Sequence, residues 1–301
     1  MDMRIYLGPN RCASGHIHAL LKLNESMLRD EKILVVHKEK NRKILMHVRE
    51  RMRRGTTPSD AYDDFIDIIT EGHPDTERVI ICDHRMTTHL RYPADWERLY
   101  PGMHQILARW ANFIPKSDLS FFGAVRSPDT FLPSIYGQSL VENKRKSFAE
   151  FLENIYPEQL SWSEAYERGL EAVPMLNSLD IPLYLWRFED YPKIWREVLC
   201  SITGLHDPSV FQPIDQTINP GLSLYGAFLM HKYVLENDVK GAGLLREVKR
   251  SFMEFYPNDG RIPKTVYWTP ELIKTIQSNY DDDWYGIQRL DNIIALSAPA
   301  A

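Results

Sequence analysis

The sequence predicts an α/β protein built on a central, mainly parallel sheet of about five strands, and three observations carry that expectation. Short, nearly continuous apolar runs recur along the chain, as strands buried on both faces require. Stretches with apolar residues at helical spacing separate them. The turns between are short and rich in Gly, Pro, Asn and Asp.

Arg4-Ile5-Tyr6-Leu7 is the first strand-like run, punctuated by Gly8-Pro9-Asn10. Ile17, Leu20, Leu21, Leu23 and Leu28 then share one side of a helix, and Lys32–Val36 forms a second short strand. A polar helix runs from about Arg42 to Arg54 and stops at Gly55-Thr56-Thr57-Pro58; Ser59 or Asp60 caps the next helix, through Ile69. Arg78–Cys82, Leu119–Arg126 and Ile181–Phe188 are the remaining strands. Helices fill the gaps at about Pro101–Phe113, Asp129–Leu140, Phe148–Asn154, Ser163–Ser178 and Tyr191–Thr203. From about Asn219 the chain reads as a polar, helical extension without a further strand. No repeat, low-complexity tract or linker divides it, so residues 1–301 are expected to form one domain.

Composition narrows the function classes. With 36 basic and 41 acidic residues the formal charge is −5, which argues against a protein that coats nucleic acid or an anionic membrane. The 44% apolar and 26% charged residues match a folded globular chain. Cys12, Cys82 and Cys200 are widely spaced and form no CxxC pair, so neither a disulfide framework nor a zinc site is expected. No apolar run reaches the roughly 18 residues of a membrane span, and the opening residues lack a signal peptide's layout. A cytoplasmic protein is the expectation.

Parallel sheets bind ligands at the carboxyl ends of their strands, where helices begin. Gly8-Pro9-Asn10-Arg11-Cys12-Ala13-Ser14-Gly15 lies at such a place. The helix start offers amide donors and a positive dipole end to a phosphate or sulfate, Arg11 adds a charge and Ser14 a hydroxyl. The turn fits neither GxxxxGK[ST] nor GxGxxG. A plain strand-to-helix turn with a surface Arg is the alternative. At a second strand end, Arg126 is followed eight positions later by Ser134. A guanidinium fork with a hydroxyl suits a terminal phosphate monoester, although the pair alone is common.

Together these segments resemble the sulfotransferases that use 3′-phosphoadenylyl sulfate. YLGPNRCASGHIHALL is similar to their 5′-phosphosulfate loop, which in bacterial members reads approximately hGPHKTGTTxLQxxL. VRSPDTFLPSIYGQ is similar to their 3′-phosphate motif, with Arg126 and Ser134 at the family's spacing. LYLWRFEDYPKIWREVLCSITGL resembles the later strand, Glu-Asp segment and helix. The resemblance runs from the start to about residue 205. It implies a P-loop, nucleoside-kinase-like three-layer fold, the phosphosulfate donor as co-substrate and no metal. It also implies donor contacts from Arg11, Cys12, Ala13, Ser14, Gly15, His16, Arg126 and Ser134. Arg11 replaces the family's Lys, and Ala13-Ser14-Gly15 replaces Gly-Thr-Thr, so binding and catalysis are separate questions.

Sulfuryl transfer needs charge stabilised on the departing oxygen and a proton taken from the acceptor. Arg11, Ser14 and the helix-start amides suit the first task. His84, in Ile-Ile-Cys-Asp-His-Arg after the third strand, is the candidate base, where related sequences carry a carboxylate. Asp83 is its orienting partner or itself the base; a helix cap is the alternative for both. His16 and His18 sit on different helix faces, and His84 and His89 are five apart, so no metal pair is expected. Glu189 and Asp190 read as structural. Lys144-Arg145-Lys146 reads as a solvated face, with contact to an acidic acceptor as the alternative, and Asp281-Asp282-Asp283 as a solvated helix end, with a cation site as the alternative. Lys240-Gly241-Ala242-Gly243 faintly resembles the Gly-containing stretch that closes over the 3′-phosphate in some sulfotransferases, but flexible glycines beside a lysine are the preferred reading. The function expected is sulfuryl transfer to an unknown hydroxyl on a small-molecule or glycan acceptor. The alternatives are an inactive nucleotide-binding or interaction protein on the same fold, and a phosphoryl-transfer enzyme, disfavoured by the missing Lys-Ser/Thr pair.

Overall fold

A computed structural model describes residues 1–55, 58–82, 99–100, 103–115, 118–142, 146–171, 181–214, 221–259, 261 and 267–297. Its elements are β1 (Asp2–Tyr6), α1 (Ser14–Leu23), α2 (Glu25–Asp30), β2 (Ile33–His37), α3 (Lys38–Arg53), α4 (Pro58–Thr70), β3 (Arg78–Cys82), α5 (Met103–Phe113) and β4 (Leu119–Val125). They continue with α6 (Pro128–Ser139), α7 (Phe148–Phe151), α8 (Trp162–Glu171), β5 (Leu183–Arg187), α9 (Tyr191–Thr203), α10 (Leu224–Glu236), α11 (Ala242–Phe255), α12 (Pro270–Ile287) and β6 (Ile293–Leu296).

The strands form one sheet in the order β2-β3-β1-β4-β5-β6, and every neighbouring pair is parallel. Consecutive residues of a strand face opposite sides. Ile80 and Ile81 are nevertheless both fully buried, as are Ile5 and Tyr6, so both faces of the sheet are covered.

The sheet has six strands where the sequence predicts about five. The added one, β6, lies in the tail read as free of strands and pairs with β5. It is four residues long and borders the sheet with one neighbour, and its side chains are half-exposed or exposed. It therefore lacks the long buried run that marks the inner strands.

Two helices also differ from expectation. The first is broken at Asn24, whose side chain is buried, donates to the Leu20 carbonyl (2.8 Å) and accepts from the Gln212 amide (2.9 Å). A side chain that competes for helix carbonyls favours such a break. α7 is a single turn closed by a capping box between Ser147 and Glu150.

Strand order sets which strand ends diverge. From β1 the chain runs through α1 and α2 to β2 on one side, whereas from β4 it runs through α6 to β5 on the other. Right-handed crossovers then put those helices on opposite faces of the sheet. Adjacent strands whose connections diverge leave a crevice beyond their carboxyl ends. Here those ends carry residues 7–13 and Arg126.

The opposite end of the sheet is tied down separately. Arg4 donates to the Ser201 carbonyl (2.7 Å) and Arg78 to the Thr203 carbonyl (2.5 Å), and both pair with Asp2. Two guanidinium groups thus meet the negative end of α9. Gly204 follows with φ 73°, and a Cβ there would stand 2.7 Å from Arg78 Nη1. Only glycine fits that cap.

Candidate functional site

The turn after β1 is held in an unusual shape. Arg11 (φ 68°) and Ala13 (φ 62°) are both left-handed, a region that non-glycine residues enter at about 1–2 kcal/mol each. Several bonds hold them there. The Leu7 amide donates to the Phe122 carbonyl (2.8 Å), the Cys12 amide to Pro9 (3.3 Å) and the Tyr6 hydroxyl to the Cys12 carbonyl (3.2 Å). Ala13 accepts from the Ile17 amide (3.0 Å) and so starts α1.

The two strand ends meet side chain to side chain. Arg11 Nε donates to Ser134 Oγ on α6 at 2.7 Å. Arg126 returns a bond, donating through Nη1 to the Arg11 carbonyl and through Nε to Thr130 Oγ1 (3.0 Å). Its guanidinium lies 4.2 Å from the Phe188 ring centre, and the residue is only 7% exposed. Arg126 thus braces the turn from beneath. The Trp162 indole donates to its carbonyl at 2.8 Å.

Glu189 supplies nearby negative charge while making structural bonds. Its carboxylate accepts from the Ser127 amide (3.0 Å) and the Tyr280 hydroxyl (2.9 Å), joining the β4 turn, the β5 end and α12. Among the described residues, no carboxylate pairs with Arg11. Burial and the charge of Arg126 pull its guanidinium below its ordinary pKa. Arginine stays protonated regardless, so its guanidinium remains a positive charge at the turn.

The other expected donor contacts are distributed unevenly. Cys12 is fully buried, and burial pushes its thiol up to about 12, which leaves only its backbone at the turn. Ser14 opens α1 and is buried. The amides of Ser14 and Gly15, first in the helix, have no acceptor within it. His16 is engaged elsewhere, with Nδ1 2.8 Å from the Tyr191 hydroxyl and its ring edge-on to Tyr191 and Trp195. Burial lowers its pKa. His18 lies against His37, with Nε2 3.2 Å from Nδ1.

His84, Asp83, His89, Lys144 and Arg145 lie outside the described residues, so the candidate base has no structural description. Among the described residues, no group of three or more His, Cys, Asp or Glu is arranged to hold a metal ion, and no helix is long and apolar enough to cross a membrane.

Sequence reasoning misplaced one feature and missed another. The acidic run is not solvated throughout. Asp283 accepts from the Trp162 amide (2.6 Å) and the Ser163 hydroxyl (2.5 Å), capping α8, and Asp281 pairs with Arg187 at 2.7 Å. The missed residue is Lys249 on α11, whose Nζ donates to Gln138 Oε1 at 3.3 Å, one turn along α6 from Ser134. A signal was present: Leu245, Val248, Lys249 and Phe252 fall at i, i+3, i+4 and i+7, which sets a lysine inside an apolar stripe. Gly221 closes the same region, since a Cβ there would stand 3.6 Å from Arg11 Nη2. Comparison of the chain with family models, with curated proteins and with solved structures gave no match in any of the three.

Proposed function

We propose that this chain binds 3′-phosphoadenylyl sulfate at the divergence of β1 and β4 and passes its sulfuryl group to a hydroxyl of a small-molecule or glycan acceptor. The observation that carries this reading is the Arg11–Ser134 bond, with Arg126 holding the Arg11 carbonyl. A cation that pairs with no carboxylate among the described residues, a hydroxyl and two helix-start amides gather where parallel sheets bind anions. The β2-β3-β1-β4-β5 order, with the anion turn following the central strand, supports a P-loop, nucleoside-kinase-like architecture.

In this mechanism the acceptor oxygen bonds to sulfur as the bond from sulfur to the bridging phosphate oxygen breaks. That oxygen keeps the electron pair and leaves as part of adenosine 3′,5′-bisphosphate. Arg11 and the amides of Ser14 and Gly15 stabilise the growing charge. His84 takes the acceptor's proton. Incubation with labelled donor and an acceptor library tests the scheme. Transfer by the native chain that drops at least 100-fold in His84→Ala is the expected result. Transfer undiminished in that variant would remove His84 from the mechanism.

A second reading, an inactive nucleotide-binding protein on the same fold, is favoured by one observation. Arg11 is held through Nε on Ser134, so its planar fork follows a departing oxygen less freely than a lysine ammonium does. Nucleotide binding without transfer to any acceptor would select it.

A further inference from the structure

The C-terminal helices are more than a covering. Lys249 and Arg11 come from segments more than two hundred residues apart, yet both donate to neutral groups on one face of α6. Arg11 bonds Ser134 and Lys249 bonds Gln138. Residues four apart on a helix stand about 6 Å from each other, within the span of one tetrahedral anion and its hydrogen bonds. Among the described residues neither cation forms an ion pair. Lys249 is half-buried, and an ammonium drawn partly out of water is stabilised by a nearby negative charge.

We propose that Lys249 and Arg11 form a two-cation cradle for a sulfate- or phosphate-type oxyanion, so that α11 completes a binding site begun by the turn after β1. The inference rests on the anion site of the proposed function but not on the identity of the nucleotide. Its chemistry is that of a doubly charged tetrahedral oxyanion, free or carried on a larger molecule. Lysine supplies a compact charge with rotatable donors, and arginine supplies a fixed fork.

The electrostatics agree with this assignment. Burial first, and then the charge of Arg11, pull the Lys249 ammonium down to about 8; Glu142, in the turn after α6, opposes them. From α10, packed alongside α11, Tyr233 and Tyr225 meet Phe252 and Tyr256. A bound dianion offsets both unfavourable contributions and raises that pKa. The folded chain binds fewer protons at Lys249 than the unfolded chain between about pH 8 and the ordinary lysine value near 10.5. Stability contributed by this group therefore rises with pH across that window.

The test titrates inorganic sulfate, whose charge is constant from pH 7 to 9.5, into the native chain, Lys249→Met and Lys249→Gln. Binding is followed by calorimetry and by the shift in Tm. The native chain should lose about tenfold in sulfate affinity between pH 7 and 9.5. Both variants should bind at least tenfold more weakly at pH 7, without that pH dependence, and should melt higher than the native chain in sulfate-free buffer. Equal affinity in native and variant chains, or a lower Tm in both variants, would overturn the cradle. Adenosine 3′,5′-bisphosphate separates the two levels of the account. If it binds no tighter than sulfate while the lysine effect persists, the nucleotide reading fails and the cradle stands. If it binds tightly and identically to all three chains, the cradle fails and the nucleotide reading stands.

Discussion

Arg126 shows how a residue's role follows from what surrounds it. The sequence marks it as an arginine at a strand end, eight positions before a serine, and that spacing alone suggests a grip on phosphate. In the fold its guanidinium spends two donors on the Arg11 carbonyl and Thr130, against Phe188. Replacing it with alanine removes a buried charge, frees the Arg11 carbonyl and leaves Glu189 without its neighbouring cation. Arg126→Ala should therefore lose about 3 kcal/mol of stability, measured by denaturant unfolding. It should also weaken adenosine 3′,5′-bisphosphate at least tenfold. An unchanged unfolding midpoint would contradict the bracing role. Lys249 was less legible, because its meaning depends on Gln138 and Arg11, far away in sequence. Only its place in an apolar stripe hinted at it.

At the level of elements, the inner strands were the most readable features. Burial on both faces forces continuous apolar sequence, as in Val79-Ile80-Ile81. β6 escaped because an edge strand of four half-exposed residues obeys no such constraint. The break at Asn24 escaped because it depends on a bond to Gln212, 188 positions away. The turn between β1 and α1 lies between these extremes: its position was legible, whereas its left-handed residues were not. Ala13 sits at φ 62° without glycine's freedom. Ala13→Gly should relieve about 1–2 kcal/mol of local strain, set against about 0.5–1 kcal/mol of added chain entropy. A small rise in Tm is the expected outcome of a melting experiment. A fall would show that the alanine methyl packs favourably enough to outweigh its backbone cost.

For the whole molecule, alternation of strands and helices was enough to predict a parallel α/β sheet, but not its strand order. Order depends on which strands pair, and pairing is a property of the folded chain. Once known, it identifies β1 and β4 as the divergent neighbours and puts Arg11, Ser134 and Arg126 at the strand ends where such a divergence leaves a crevice. Gly221 and Lys249 reach the same place, so early and late segments of the chain meet around Arg11 and α6.

Calorimetric titration of adenosine 3′,5′-bisphosphate into the native chain, Arg11→Met and Ser134→Ala asks whether that crevice holds a doubly phosphorylated nucleotide. Micromolar binding by the native chain is predicted, with a loss of at least tenfold in Arg11→Met and a smaller loss in Ser134→Ala. No heat of binding at millimolar nucleotide, from a chain whose cooperative melting shows it folded, would contradict the account.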